Sequence, residues 1–225
     1  MAEHEVVARA EWLVHRAALL RAEKEFTRAR DRLNAQRRAL PWVAVDKRYM
    51  FETPDGRQNL AELFAGRSQL IVYHFMFHPD WQEGCPSCSF WADNFTGAVV
   101  HLAARDVTLL AVSRAQLAKL AAYRSRLGWS FPWVSSFGSD FNRDFGVAFT
   151  PEEAKARAPL YNYGTRPVVN EELPGLSVFH KAAGGAIHHT YSTYARGLDM
   201  LNGAYHLLDL TPKGRDEAGL PYPMA

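Results

Sequence analysis

Large apolar residues recur every seven positions through the start of the chain, at Trp12, Leu19, Phe26, Leu33 and Leu40, with Ala22 and Ala29 three residues after Leu19 and Phe26. No Gly or Pro interrupts Val6 to Ala39, so the spacing predicts one long helix carrying an apolar seam, ended at Pro41. Its other faces are charged, and Arg28, Arg30, Arg32, Arg37 and Arg38 make its C-terminal half basic, which suits the helix dipole. So long a stripe needs a surface to cover it, which makes the helix a candidate for packing on the body of the chain or for homodimerisation.

The pattern then changes period. Val43 to Phe51 alternates as a short strand, Thr53-Pro54-Asp55-Gly56 is a turn, and Asn59 to Phe64 predicts a short helix. Leu70 to Phe77 is continuously apolar and rich in β-branched and aromatic residues, as in a strand buried on both faces at the centre of a parallel sheet. From Cys88 the residues Phe90, Phe95, Val99 and Leu102 fit one helix; Asp106 to Ser113 is a second buried strand, and Ala115 to Leu127 a helix stopped by Gly128. This strand–helix–strand–helix order predicts a parallel pair with a right-handed crossover. Phe131 to Ser136 reads as a strand, Asp140 to Gly146 as a short helix, and Phe149 to Glu172 as a long loop of the kind that covers binding sites. A strand from Leu173 to Phe179, a turn at Gly184-Gly185, a return strand from Ala186 to Tyr194 and a helix from Leu198 to Leu208 close the chain. The expected organisation is a helical extension over residues 1–41, one α/β domain over 42–210 and a polar, Pro-rich tail over 211–225.

Composition narrows the function. A chain of 225 residues with 48% hydrophobic and 12% aromatic residues buries a sizeable core in one domain. A net charge of +2 is too small to point to nucleic acid or an anionic membrane as a main partner. The first residues lack a basic segment followed by an apolar one, so no signal peptide is expected. The longest apolar run is too short to span a bilayer. These features predict a cytoplasmic protein, where a stable structural disulfide is unusual.

The two cysteines of the chain, Cys85 and Cys88, stand three apart just beyond the buried strand, in His78-Pro79-Asp80-Trp81-Gln82-Glu83-Gly84-Cys85-Pro86-Ser87-Cys88. A CxxC at the first strand-to-helix turn of a βαβ unit is a redox arrangement. Cys85 would occupy the N-terminus of a helix starting near Ser87, where unpaired N–H groups and the dipole stabilise a thiolate. Such placement lowers a thiol pKa from about 8.5 to roughly 3.5–7.5. Cys85 is therefore the expected nucleophile on a substrate disulfide and Cys88 the resolving thiol, with no bound cofactor required. Competing readings are half a zinc site completed by His78 or by His188 and His189, an inert buried pair, a thiol peroxidase, and a non-catalytic binding module. A structural zinc site usually shows two spaced ligand pairs, and this chain has no second cysteine pair.

With CPSC in place, Trp42 to Leu208 resembles the thioredoxin-like superfamily: a central mixed sheet flanked by helices, here with the long N-terminal helix added. In LPGLSVF, Pro174 stands where thioredoxins carry a cis-proline facing the CxxC; the resemblance implies a cis Pro174 and backbone contacts to substrate from Leu173. The stretch FPWVSSFGSDFNRDFGV is similar to peroxiredoxins, which places the chain on the peroxiredoxin-related branch. The peroxiredoxin Pro-x-x-x-Thr/Ser-x-x-Cys pattern, counted from Pro79, meets Glu83 and Pro86 instead, which weighs against peroxidase chemistry. RALPWV, YHFMF, CPSC, FPWVSSFGSDFN and HTYSTYARGLD together resemble a bacterial domain-of-unknown-function family whose members are described as predicted dithiol–disulfide oxidoreductases. The implied partners are a protein or small-molecule disulfide and a cellular reductant.

Secondary candidates surround this centre. Trp81 precedes the CxxC and suits either substrate contact or packing. His78 suits a proton carrier or a turn cap. Strand alternation places Tyr191 with Thr193 on one face and His188, Thr190, Ser192 and Tyr194 on the other. Arg196 suits an anionic substrate group, and Tyr161 and Tyr163 could close over the site from the long loop.

Overall fold

The computed structural model describes residues 4–217. Two units are distinct, the N-terminal segment up to Pro41 and the body from Trp42 onward. In the first, α1 (Arg9–Arg38) is an uninterrupted helix of 30 residues that buries none of them. Glu11 in its first turn and Arg37 and Arg38 in its last match the dipole. No helix among the described residues is long and apolar enough to cross a membrane.

The body is built on one eight-stranded mixed sheet among the described residues, with strands β1 (Val43–Ala44), β2 (Met50–Thr53), β3 (Gly56–Asn59), β4 (Gln69–His74), β5 (Val107–Ser113), β6 (Trp133–Ser135), β7 (Gly175–Lys181) and β8 (Ile187–Tyr194), ordered β1-β8-β7-β4-β5-β6-β2-β3. β4 sits near the middle, parallel to β5 and antiparallel to β7. Its period of two sorts the apolar run onto both faces. Tyr73 and Phe75 join Phe77, Cys88, Phe95, Leu120 and Trp133 in one core; Leu70 and Val72 join Phe51, Phe64, Phe141 and Phe179 in the other. Helices α2 (Pro86–Ala92), α3 (Val99–Ala103) and α4 (Leu117–Arg126) follow β4 and β5, and α5 (Phe141–Asp144), α6 (Pro151–Lys155), α7 (Tyr161–Gly164) and α8 (Gly203–Leu208) complete the chain.

Several expected elements are divided. Val43 to Phe51 is two strands on opposite sides of the sheet, β1 beside β8 and β2 beside β6. The intervening polar residues carry the chain across, with Lys47 held by Asp144 at 2.6 Å and Asp140 at 2.9 Å. β3, which pairs with β2 across the Thr53–Gly56 turn, occupies residues ahead of a single 3-10 turn, Glu62–Phe64, in place of the expected helix from Asn59. The helix expected from Cys88 onward stops at Asp93 because the Asn94 side chain donates to the Phe90 and Trp91 carbonyls that a continuing helix would use. The long loop contains α6, begun by a capping box in which Thr150 and Glu153 exchange side-chain and backbone hydrogen bonds. It also contains α7, a left-handed turn with Asn162 and Tyr163 at φ 51° and 60°. The expected helix from Leu198 is a 3-10 segment, Ala195–Leu201, followed by α8, because the Asn202 side chain accepts from Tyr205 N at 3.2 Å and starts a new helix. The described part of the expected tail folds back: Arg215 pairs with Asp199 at 3.0 Å and Asp209 at 2.9 Å and lies 4.0 Å over the Tyr205 ring. Residues 218–225 lie outside the described residues.

Candidate active site

The site forms where the chain leaves β4. Phe75 N still donates to Val112 O, extending the parallel ladder past the strand. The following turn is pinned from α4, as Lys119 Nζ donates to the carbonyls of Pro79 at 2.6 Å and Trp81 at 2.9 Å. Gly84 then crosses the core aromatics so closely that a Cβ there would lie 2.7 Å from Phe75 Cε1, and only glycine fits. Cys85 N donates to Met76 O at 3.0 Å, which returns the chain to the sheet and sets Cys85 as the N-cap of α2. Pro86 occupies the first helical position, where its missing N–H costs nothing.

Cys85 and Cys88 are both free thiols, Cys85 half-buried and Cys88 buried. The Cys85 pKa is brought down to about 6 by a hydrogen bond from Cys88, against an opposing effect of burial, with further help from the Ser87 hydroxyl at 3.3 Å and from the backbone N–H groups of Cys88 and Ser87. Cys88 moves the other way. Burial pushes its thiol well up, and the neighbouring Cys85 adds to this, while Met76 N–H and the Tyr73 hydroxyl donate to its sulfur and partly counter them. The Cys85 pKa is lowered in the expected direction, with the hydrogen bond from Cys88 as the largest cause and the N–H groups at the start of α2 adding to it.

Tyr73 is a site residue that the sequence pattern does not single out. Its hydroxyl is fully buried on the same strand face as Phe75, and burial together with Cys88 raises its pKa far above the ordinary phenol value. A tyrosine inside an apolar run needs a partner for its O–H, and that is the one signal the sequence offers. This O–H is aimed at the Cys88 sulfur; if Cys88 resolves a mixed disulfide at Cys85, Tyr73→Phe is expected to slow that step about tenfold, the worth of one hydrogen bond to a charged group. The mixed disulfide at Cys85 would accumulate, and mass spectrometry of quenched reactions would detect it. Unchanged resolution would remove Tyr73 from the chemistry.

The other expected residues fall into three groups. Trp81 packs against the same core as Cys85, and His78, 6.1 Å from its ring, caps the turn by accepting from Asp80 N at 3.2 Å. Pro174 lines a cleft next to Cys88 together with Arg196. All peptide bonds among the described residues are trans, so the implied cis Pro174 is corrected. The Pro174 carbonyl accepts from the Tyr161 hydroxyl at 2.5 Å, and the Leu173 N–H donates to Val147 O at 3.0 Å, so these two groups are engaged within the fold. Tyr191 stands opposite Val178 in the sheet and does not line the cleft. Tyr163 is anchored to β8 through its hydroxyl, which donates to Ser192 O at 2.9 Å.

The faces of β8 also differ from strict alternation. A bulge pairs Val178 with Tyr191 but Phe179 with His189, so His189 rather than His188 joins Ser192, at 2.7 Å. His188 stands opposite His180, and His180 opposite Gln69 at the far end of β4 from the cysteines, about 17 Å away along the strand. Neither His188 nor His189 can complete a site with the cysteines, and no group of three or more His, Cys, Asp or Glu among the described residues is placed to hold a metal ion.

A second ionisable group is buried near this end of the sheet. Glu172 lies 3.1 Å from Arg114 without an aligned hydrogen bond to its Oε1 atom. Burial outweighs that cation and the Glu172 carboxyl is pushed up to about 7.

A mixed sheet with this order, carrying a half-buried thiol at the turn after its central parallel strand, is a thioredoxin-like fold. Over residues 1–224 the chain matches the family described as "Bacterial protein of unknown function (DUF899)", and it belongs to that family. The fold is similar to the peroxidoxin BcpB from Mycobacterium tuberculosis, at 12% identity and a TM-score of 0.50, over 72% of this chain and 96% of that one. A structure of peroxiredoxin Q from Xanthomonas campestris is 15% identical with a TM-score of 0.46, over 75% of this chain and 96% of that one. A search of curated proteins found no match to this chain.

Proposed function

We propose that this protein is a dithiol–disulfide oxidoreductase. The observation that supports it best is the opposed tuning of the two thiols, Cys85 lowered to about 6 and Cys88 raised. In the forward reaction the Cys85 thiolate attacks one sulfur of a substrate disulfide, forming a mixed disulfide and releasing the other half as a thiolate. Loss of the Cys85 charge removes one of the causes that hold the Cys88 proton in place. That proton passes to the leaving thiolate. Cys88, stabilised by Tyr73 O–H and Met76 N–H, then attacks the Cys85 sulfur. A Cys85–Cys88 disulfide forms and the second substrate thiol departs, so the substrate gains two electrons and the protein loses two. An external dithiol reductant would return the protein to its starting state.

Ultraviolet thiolate absorbance of the reduced protein against pH tests this reading. One thiolate should appear near pH 6, vanish in Cys85→Ser, and persist in Cys88→Ser, whose hydroxyl can still donate to the Cys85 sulfur. Both thiols titrating near the free value of about 8.5 would sink the proposal and favour a binding module. Rapid peroxide-dependent sulfenate formation at Cys85, without exchange on disulfides, would move the reading to a thiol peroxidase.

A further inference from the structure

The cleft beside Cys88 has a volume of about 630 Å³, within the roughly 300–1,000 Å³ range of small-molecule sites. Cys88, Ser87 and Tyr73 form one end of it, and Cys85 Sγ stands 3.3 Å from the Ser87 hydroxyl there. Three arginines reach it from segments distant in sequence: Arg166 after α7, Arg196 in the 3-10 segment, and Arg215 beyond α8.

Two carboxylates share the cleft among the described residues, and both are already engaged. Asp199 accepts from Arg196 at 3.1 Å and from Arg215 at 3.0 Å through the same oxygen, and Glu217 accepts from the Tyr205 hydroxyl at 2.5 Å. Arg215 is further fixed by Asp209 and by its stack on Tyr205, so it acts as a wall. Arg166 has no ion-pair partner among the described residues, and the Arg196 side chain is 79% exposed while it shares the Asp199 carboxylate with Arg215. The cleft therefore presents guanidinium groups whose capacity for anions is not filled. Trp91 and Tyr205, perpendicular at 5.2 Å between ring centroids, add an apolar surface to the same cleft.

We propose that this cleft selects low-molecular-weight disulfides bearing carboxylates, with Arg166 and Arg196 holding the carboxylate while the disulfide bond meets the Cys85–Cys88 pair. This rests on the dithiol–disulfide reading and specifies the substrate for it. A guanidinium suits this role because its planar donors meet a carboxylate in two parallel hydrogen bonds. The exchange step is the one written above, with the carboxylate-bearing thiols as the two leaving groups.

Three disulfides of similar size separate charge from reactivity: dithiodiglycolate, hydroxyethyl disulfide and cystamine, which are anionic, neutral and cationic. Reduction of each by the pre-reduced full chain is measured by stopped flow and divided by its rate with dithiothreitol, which removes intrinsic differences. The normalised rates should fall in the order anionic, neutral, cationic, and the spread should shrink as salt is raised. Arg166→Gln and Arg196→Gln should each lower the ratio of dithiodiglycolate to hydroxyethyl disulfide rates about tenfold, as the loss of one charge-assisted hydrogen bond predicts. A misfolded variant would lose both rates together and leave the ratio in place. Equal normalised rates for the three disulfides, or variants that keep both the wild-type ratio and the wild-type hydroxyethyl disulfide rate, would overturn the assignment while leaving dithiol exchange standing. Failure to reduce any of the three, and scrambled protein disulfides as well, would instead remove the dithiol reading itself. Preference for the scrambled disulfides of an oxidised, misfolded protein over all three small ones would replace a small-molecule substrate with a polypeptide.

Discussion

Cys85→Ser should abolish disulfide reduction, lowering the rate by several orders of magnitude, because a serine hydroxyl is not ionised at neutral pH and cannot replace a thiolate whose pKa is about 6. Cys88→Ser should behave differently. Cys85 remains able to attack, but the reaction stops at one equivalent of released thiol and a stable adduct on Cys85, visible by mass. Cys88→Ala adds a second consequence. The hydrogen bond from Cys88 is the largest cause of the low Cys85 pKa, so its removal should move the Cys85 titration upward toward the ordinary thiol range. The first step would then slow at pH 6–7 and recover at higher pH. If Cys88→Ala leaves the Cys85 titration where it was, the activation comes from the helix N-terminus and Ser87, and the account given for the pair is wrong. If Cys85→Ser retains exchange and Cys88→Ser does not, the two roles are reversed.

The second large effect concerns acid stability and sits on the opposite face of the sheet. His74 is 1% exposed, in a chain of buried polar groups: its Nε2 lies 2.9 Å from Ser177 Oγ, which lies 2.9 Å from Ser192 Oγ, which lies 2.7 Å from His189 Nε2. Burial, reinforced by His189, brings the His74 pKa down to about 3. The folded protein keeps this imidazole neutral while the unfolded chain protonates it near 6.5. Stability from this residue is therefore complete above pH 6.5 and is lost progressively as the pH falls toward 3, at up to about 1.4 kcal/mol per pH unit. His189, also lowered by burial, acts in the same direction, whereas Glu172, raised to about 7, loses stability as the pH rises from its ordinary value. A paired comparison isolates His74. His74→Gln should be less stable than wild type at neutral pH by about 1–3 kcal/mol, and this difference should shrink between pH 6.5 and 4 in urea denaturation. A difference that stays constant with pH would mean that His74 is solvated or protonated in the folded state, and that the serine chain is not closed to water.

Much of this protein is legible along the chain because the relevant forces are local. The continuous apolar run at β4, the alternation around the Gly184-Gly185 turn, Gly128 after α4 and the unbroken seam of α1 each follow from side-chain period and backbone preference within a few residues. The position of the CxxC at the strand-to-helix turn follows in the same way, and with it the assignment of Cys85 as N-cap. One local signal, the Thr150-Pro151-Glu152-Glu153 capping box, lies inside the stretch expected to be loop and starts a helix there.

What local period could not supply was decided by residues far apart in sequence. The bulge after Val178 reverses the faces of the first part of β8, because pairing with β7 rather than alternation sets the register. Met76, Tyr73 and Cys88 meet because the strand end and the helix start fold onto each other, and the tuning of the two thiols depends on that meeting. Arg166, Arg196 and Arg215 are ordinary surface-type residues in the sequence, where only Arg196 stands out as a candidate. They converge through the Tyr161–Arg166 bridge, the 3-10 segment after β8 and the return of the chain over Tyr205. The sequence by itself determined the sheet's central strand and the place of the two cysteines at the turn after it, since both are properties of short segments. Only the tertiary structure decided the charge and shape of the cleft beside them, since electrostatic and packing interactions act through space between segments the chain order keeps apart.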